Sequence, residues 1–272
     1  MTASDQTVGP GSESTTSVKQ CCARLYESDF AKILLGDSFH PGGLALTERL
    51  GSLLGLGPNS RALDVASGPG SSAFFLTERF GCQFVGVDYS ERNVQLGNET
   101  ASEKRLSSKV RFECGDAEHL HFADAWFDAI ICECAFCTFA DKPAAACEFA
   151  RVLRREGRVG VSDLTRAPVL PKELDSLLAW ISCIADAQPA ESYAEYFRSA
   201  GLQICEVENH DGALIEMIRQ IRVKLLSAEV LTGLGKLNLP GVNFTSAKQM
   251  AVSALEAAER GQLGYAIVTA SR

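Results

Sequence analysis

The sequence predicts an α/β fold built on a doubly wound, mostly parallel sheet. Apolar runs of strand length recur along the chain: "RALDVAS" (61–67), "CQFVGVD" (82–88), "VRFECG" (110–115), "FDAIICE" (127–133), "RVGVSDL" (158–164), "LQICEVEN" (202–209) and "GYAIVTA" (264–270). Stretches with helical spacing separate the early ones, the alternation that generates parallel strands joined by crossover helices. With 272 residues, 46% of them apolar, the chain is long enough to bury one large core.

Each segment has a local reason for its assignment. Residues 1–17, "MTASDQTVGPGSESTTS", are rich in Ser, Thr and Gly and read as a disordered lead-in. They lack the basic stretch and apolar run of a secretory signal. Residues 18–57 have helical spacing, broken at "GDSFHPGG" (36–43), and read as an N-terminal helical lid. The core is expected over 58–210. Its first strand ends in small residues, a helix follows over 71–80, and Ser90 is placed to N-cap the next. The Arg-rich "RVLRREGR" (151–158) reads as a solvated helix end and turn. Residues 211–272 read as a long helical insertion and a final strand completing the core.

Charge and composition exclude several classes. A net charge of −8 disfavours binding along a phosphate backbone, so no nucleic-acid partner is expected. No apolar run approaches the length of a membrane span. Ten cysteines without a secretion signal read as free thiols in a reducing compartment, which makes a cytoplasmic location the expectation.

The turn after the first strand, "LDVASGPGS", lets a ligand approach backbone N–H groups at a helix N-terminus. Asp88 ends the second strand, 24 residues after Asp64 (88 − 64), where a carboxylate can accept hydrogen bonds from both hydroxyls of a ribose. Asp116, in "CGDAEHL", closes the third strand, where it can bind an adenine amino group while the Ala117 backbone addresses a ring nitrogen. A nicotinamide site would want G-x-G-x-x-G, which "ASGPGS" (66–71) does not supply.

From about residue 58 to 165 the chain resembles the class I S-adenosylmethionine-dependent methyltransferases, with "LDVASGPGS", "VGVDYS", "CGDAEHLHF" and "FDAIICE" in the family's order and spacing. Ala66 stands where the family usually has its first glycine. The resemblance implies S-adenosylmethionine as cofactor, bound by Asp64, Ala66, Ser67, Gly68, Gly70, Asp88, Tyr89, Asp116 and Ala117.

The thiols at the fourth strand carry a narrower resemblance. "FDAIICECAFCTFADKP" resembles the strand and loop of the arsenite methyltransferases, with Cys134 on their arsenic-binding cysteine. "VSDL" (161–164) resembles their Ser-Asp, and "LLAWISCIADA" (177–187) places Cys183 on a second such cysteine. The further thiol of members that accept inorganic arsenite is replaced by Asp37 and Ser38, with Cys21 and Cys22 nearby in sequence. The implied acceptor is a trivalent arsenical, monomethylarsonous acid ahead of arsenite, gripped by the thiolates of Cys134 and Cys183, with a thiol reductant as partner. Soft arsenic suits soft thiolate ligands. A C- or O-methyltransferase of a quinone, sterol or polyketide is the alternative on the same fold. A non-catalytic, thiol-sensing cofactor binder is the alternative outside enzymes.

Blander readings cover the rest. Cys82, Cys114, Cys147 and Cys205 read as core fillers. Cys132, Cys134 and Cys137 lack the paired knuckles of common zinc sites, and no metal is assigned. His119 and His121 read as solvent-facing. Trp180, Tyr193, Tyr196 and Phe197 read as core at helical spacing.

Overall fold

The computed structural model describes residues 40–168, 186–239 and 242–272. Its elements run α1 (Gly43–Leu53), β1 (Arg61–Val65), α2 (Ser71–Phe80), β2 (Gln83–Asp88), α3 (Glu91–Glu103), β3 (Val110–Cys114), β4 (Phe127–Glu133), α4 (Lys142–Val152), β5 (Leu153–Arg166), α5 (Ala190–Ser199), β6 (Gln203–Asn209), α6 (Asp211–Gly233), α7 (Phe244–Glu259) and β7 (Leu263–Ser271). One seven-stranded sheet has the order β3-β2-β1-β4-β5-β7-β6. Strand order reverses beside β1, so the crevice above β1 and β4 is where a doubly wound sheet binds ligands.

Strands β1 to β5 pair in parallel, whereas β7 is antiparallel to both β5 and β6. The reversal follows from the helical insertion. One helix returns a chain to the end of the sheet where a strand began; two return it to where the strand finished. Helices α6 and α7 run antiparallel, clipped by Lys248 Nζ to Glu229 at 2.6 Å and Arg219 to Glu259 at 2.8 Å. The chain therefore re-enters at the end where β6 exits, and β7 has to run the other way.

Helices α1, α2 and α3 cover one face. Gly160 of β5 leaves room for Leu50 of α1, whose Cδ1 would lie 2.5 Å from an added Cβ. Gly51 of α1 gives Leu76 of α2 the same clearance, at 2.7 Å. The Phe112 ring of β3 is seated among three glycines: added Cβ atoms at Gly70, Gly86 and Gly97 would fall 2.1, 2.3 and 2.6 Å from it. Ser90 caps α3 by accepting the Asn93 N–H at 3.1 Å.

The opposite face is closed by α4 and α5 around Phe136, which lies within 5.6–6.0 Å (ring centroids) of Phe149, Tyr193 and Phe197. Tyr193 and Phe197 are buried and Tyr196 packs against the same cluster, as their helical spacing predicts. Trp180 lies outside the described residues.

Two local expectations change. The Arg-rich stretch is indeed a helix end and turn, but the turn is a bulge within β5. Pairing with β4 jumps from Leu153 to Arg158, and Glu156 adopts a left-handed φ of 63°. Cysteines 114, 147 and 205 are exposed; only Cys82 of the four expected core fillers is buried. Cys114 and Cys205 lie on the two edge strands and Cys147 on the outer side of α4, positions at which no second layer covers a thiol. No helix of the described residues is long and apolar enough to cross a membrane.

Candidate active site

The loop after β1 is held by β2. Ser67 N–H donates to the Val87 carbonyl at 3.0 Å, and Gly68 N–H donates to Asp88 Oδ2 at 2.7 Å. Asp88 Oδ1 accepts from Ser90 N–H at 2.9 Å and from Asn93 Nδ2 at 3.2 Å. The acid expected to meet a ribose thus also ties the loop to α3. Three alternate residues of this loop use left-handed backbone: Ala66 at φ 58°, Gly68 at 54° and Gly70 at 93°. An added Cβ at Gly68 would meet nothing within 4 Å, so the backbone there borders open space. Tyr89, next in sequence to Asp88, is 42% exposed.

Asp116 follows β3, its Oδ1 accepting from Glu118 N–H at 3.0 Å, with Ala117 buried next to it. The site residues expected on the cofactor side therefore gather along the carboxyl ends of β1, β2 and β3. His119 is exposed, and His121 lies on the surface 2.8 Å from Glu113.

Asp64 is 2% exposed and its Oδ2 has no hydrogen-bond partner among the described residues. Burial pushes this carboxyl well above its ordinary range, and the charges of Glu133 and Asp88 push it further. Glu133 closes β4 with a side chain only 5% exposed. It accepts from Thr47 Oγ1 of α1 at 3.2 and 3.1 Å, from Ser162 Oγ of β5 at 3.3 Å and from Ser72 Oγ of α2, with His40 Nε2 at 3.7 Å. Sequence reasoning missed this cluster. Its one visible signal is an acidic residue ending the apolar run Ala129–Cys132.

Alternation places Cys132 and Cys134 on one face only while strand geometry lasts. It ends at Glu133: Cys134 takes a left-handed φ of 53° and donates its N–H to the Ser162 carbonyl at 2.7 Å. Cys134 is consequently half-buried, whereas Cys132 and Cys137 are fully buried. Burial, then the charges of Asp163, Asp64 and Glu133, push the Cys132 thiol far up. Asp163 is fully buried and positions the turn after β4, accepting from Cys137 N–H at 2.9 Å and Leu164 N–H at 2.7 Å. Cys183, Cys21 and Cys22 lie outside the described residues. Among the described residues no three His, Cys, Asp or Glu side chains converge as a metal site requires.

Residues 63–161 match the methyltransferase domain family model. The fold, the loop after β1 and this match define a class I S-adenosylmethionine-dependent methyltransferase domain, whose cofactor is S-adenosylmethionine. The open space at Gly68 and the unpartnered buried oxygen of Asp64 fit a ligand of that kind.

Phosphoethanolamine N-methyltransferase 1 of Arabidopsis thaliana is 28% identical over 180 residues, 66% of this chain and 36% of that protein. The chain spans a little over a third of the length of the curated relatives it matches first. Among solved structures, the [4+2]-cyclase SpnF superposes with a TM-score of 0.74 at 22% identity, covering 95% of this chain and 96% of that one. Phosphoethanolamine N-methyltransferase 2 of Haemonchus contortus, in complex with phosphomonomethylethanolamine and S-adenosylhomocysteine, gives 0.79 at 18%, covering 94% and 60%. Both likenesses concern the fold. The similar proteins also include a geranyl diphosphate methyltransferase, at 20% identity and a TM-score of 0.69 over 85% of each chain.

Proposed function

We propose that this protein transfers a methyl group from S-adenosylmethionine to a small organic acceptor presented above the carboxyl ends of β4 and β5. The observation that carries the reading is the loop of residues 66–70. It is locked to Asp88 through Gly68 N–H at 2.7 Å, yet open on the Gly68 side. The cofactor supplies an electrophilic methyl on a sulfonium, so the transfer is an in-line displacement and the protein's task is chiefly positioning. Asp88 orients the ribose hydroxyls, Asp116 and the Ala117 backbone address the adenine, and Ala66, Ser67, Gly68, Gly70 and Tyr89 line the rest of the groove. The acceptor then approaches along the turn after β4, where Cys134 and Phe139 are only partly buried.

Cys134 keeps a second reading alive. Its left-handed turn leaves this thiol half-buried at the strand end, while those of Cys132 and Cys137 are sealed in. In this reading, which rests on the resemblance at Cys134 and Cys183, the acceptor is a trivalent arsenical held by both thiolates, with a thiol reductant regenerating the site.

One assay separates the readings. The full chain is incubated with methyl-labelled donor and, separately, with phosphoethanolamine, a demethylated quinol and monomethylarsonous acid plus reductant. Labelled organic product that survives Cys134→Ser supports the organic acceptor. Labelled arsenical that is lost in Cys134→Ser and Cys183→Ser selects the second reading. Calorimetry supplies the control: Asp88→Asn should weaken donor binding by about tenfold or more, because charge-assisted hydrogen bonds carry about 1.5–3 kcal/mol. An unchanged affinity would remove the basis of both readings.

A further inference from the structure

Asp64 and Glu133 lie on the same face of neighbouring strands. Asp64 pairs with Ile131, and Glu133 is two residues further along β4. With strands about 4.8 Å apart and a rise of about 3.3 Å per residue, their Cα atoms are about 8 Å apart. Two carboxylates are thus buried side by side, at 2% and 5% exposure, with His40 the one basic side chain recorded against them among the described residues. Glu133 is braced by hydroxyls from α1, α2 and β5, but Asp64 Oδ2 has nothing to bond among the described residues. A buried acid pair is relieved either by protonation, towards which burial drives Asp64, or by a positive charge brought close to it.

Such a charge is available in the cofactor, and the argument here rests on the function proposed above. With the adenosine addressed from β2 and β3 by Asp88 and Asp116, the remaining part of the donor would extend over β1 and β4. That part carries the sulfonium. After transfer the sulfonium becomes a neutral thioether, while the ammonium and carboxylate of the amino-acid end are unchanged. The cofactor therefore loses one positive charge on reaction.

We infer that Glu133, working with Asp64, is a specificity-determining residue that favours the charged methyl donor over the spent, neutral-sulfur product. Its hydroxyl braces hold the carboxylate in place beneath the crevice, so the discrimination is built in before binding. Desolvation keeps the field strong, since a fixed charge in a low-dielectric site is screened far less than one on the surface.

The test is isothermal calorimetry on the full-length protein with S-adenosylmethionine and with S-adenosylhomocysteine. Glu133→Gln preserves size and most hydrogen bonding while removing the charge. It should weaken donor binding by at least about fivefold and change product binding less than about twofold. Asp64→Asn should shift the ratio in the same direction but by less, because burial already drives that carboxyl towards its neutral form. Thr47→Val, which removes a brace but no charge, should leave the ratio within about twofold of wild type.

Equal weakening for both ligands, or no change for either, would mean the cluster merely ties α1 to the sheet, and the inference would be overturned. If the charge variants do not fold, the wild-type ratio can be followed from about pH 8 to about pH 5. Towards acid Asp64, which burial holds well above its ordinary range, is driven further to its neutral form, while Cys132 and Tyr265 stay neutral, so donor preference should fall. A ratio that is flat with pH would equally overturn it. Failure of the function proposed above looks different: the wild-type chain would then bind neither ligand.

Discussion

Ala66 sits at φ 58°, a left-handed conformation that costs a residue with a Cβ about 1 kcal/mol or more. Ala66→Gly should therefore stabilise the protein by about 0.5–1 kcal/mol, part of the relieved strain being offset by extra freedom in the unfolded chain. Chemical denaturation monitored by circular dichroism measures it, and a destabilised variant would show that the methyl group has packing the backbone angle does not reveal. Asp64 works in the opposite sense. Its carboxyl is raised by burial, so the stability associated with its protonated form is present below the unfolded value, about pH 3.9, and lost as pH rises through the folded one. Asp64→Asn should thus be more stable than wild type at neutral pH, with the difference closing towards acid. A difference that widens in acid would reverse the sign argued here. At this scale the sequence places Asp64 in the first strand, Asp88 at the end of the second and Asp116 just after the third, and the fold has them there. The sequence did not reveal the partners of Glu133. Thr47, Ser72 and Ser162 are ordinary residues on three distant segments, and only the folded sheet brings their hydroxyls to one carboxylate.

Among the elements, β3 shows how a side chain can serve as a wedge. Phe112 fills space left by Gly70, Gly86 and Gly97, and its ring centroid lies 5.5 Å from that of Phe74. Phe112→Ala should cost about 3–5 kcal/mol, as large-to-small changes at buried aromatics do. It should also weaken donor binding, because Gly70 ends the loop that Asp88 holds. Thermal melting and calorimetry report the two effects separately; a variant that melts earlier yet binds the donor normally would uncouple the wedge from the loop. Strand and helix periods made most of these elements visible in the sequence: the helix at 71–80 and the strand at 127–133 match to the residue. What periodicity misses is the layer above an element. A cysteine in an apolar run looks the same in a central strand as in an edge strand, which is why Cys114 and Cys205 were expected inside and lie outside.

For the molecule as a whole, the distribution of thiols gives a direct check on the fold. Cys82 is buried and desolvation pushes its thiol up to about 11, and Cys132 is raised by burial as well. Iodoacetamide at neutral pH should modify Cys147 and Cys205 quickly and leave Cys82, Cys132 and Cys137 untouched until the protein is denatured, as read by mass spectrometry. Rapid labelling of Cys82 in the native state would contradict the packing of α2 against the sheet. Acid should unsettle the β4–β5 region through Glu148, whose carboxyl is lowered by hydrogen bonds from Arg151 and, further, from the Leu120 N–H. A depressed carboxyl contributes stability above its unfolded value, about pH 4.3, which is lost as pH falls through the folded one. Glu148→Gln should therefore melt earlier than wild type at neutral pH, and the two melting curves should converge in acid. The doubly wound architecture was legible because alternation of strand and helix constrains it strongly. The acceptor is a different matter, because one fold serves many acceptors: a few cysteines resemble an arsenical site, while similar proteins include phosphoethanolamine and geranyl diphosphate methyltransferases.

The placement of β7 between β5 and β6 also governs the order in which this molecule can assemble. Strand β6 borders no other strand, so during synthesis it has nowhere to dock until residues 263–271 have emerged from the ribosome. Up to that moment β5 presents an unsatisfied edge, open to pairing with a stray strand. Nascent chains stalled before residue 263 should accordingly be sensitive to proteases across 203–262 and prone to clump, whereas emergence of residues 263–271 should bring β7 and β6 onto the sheet in one step.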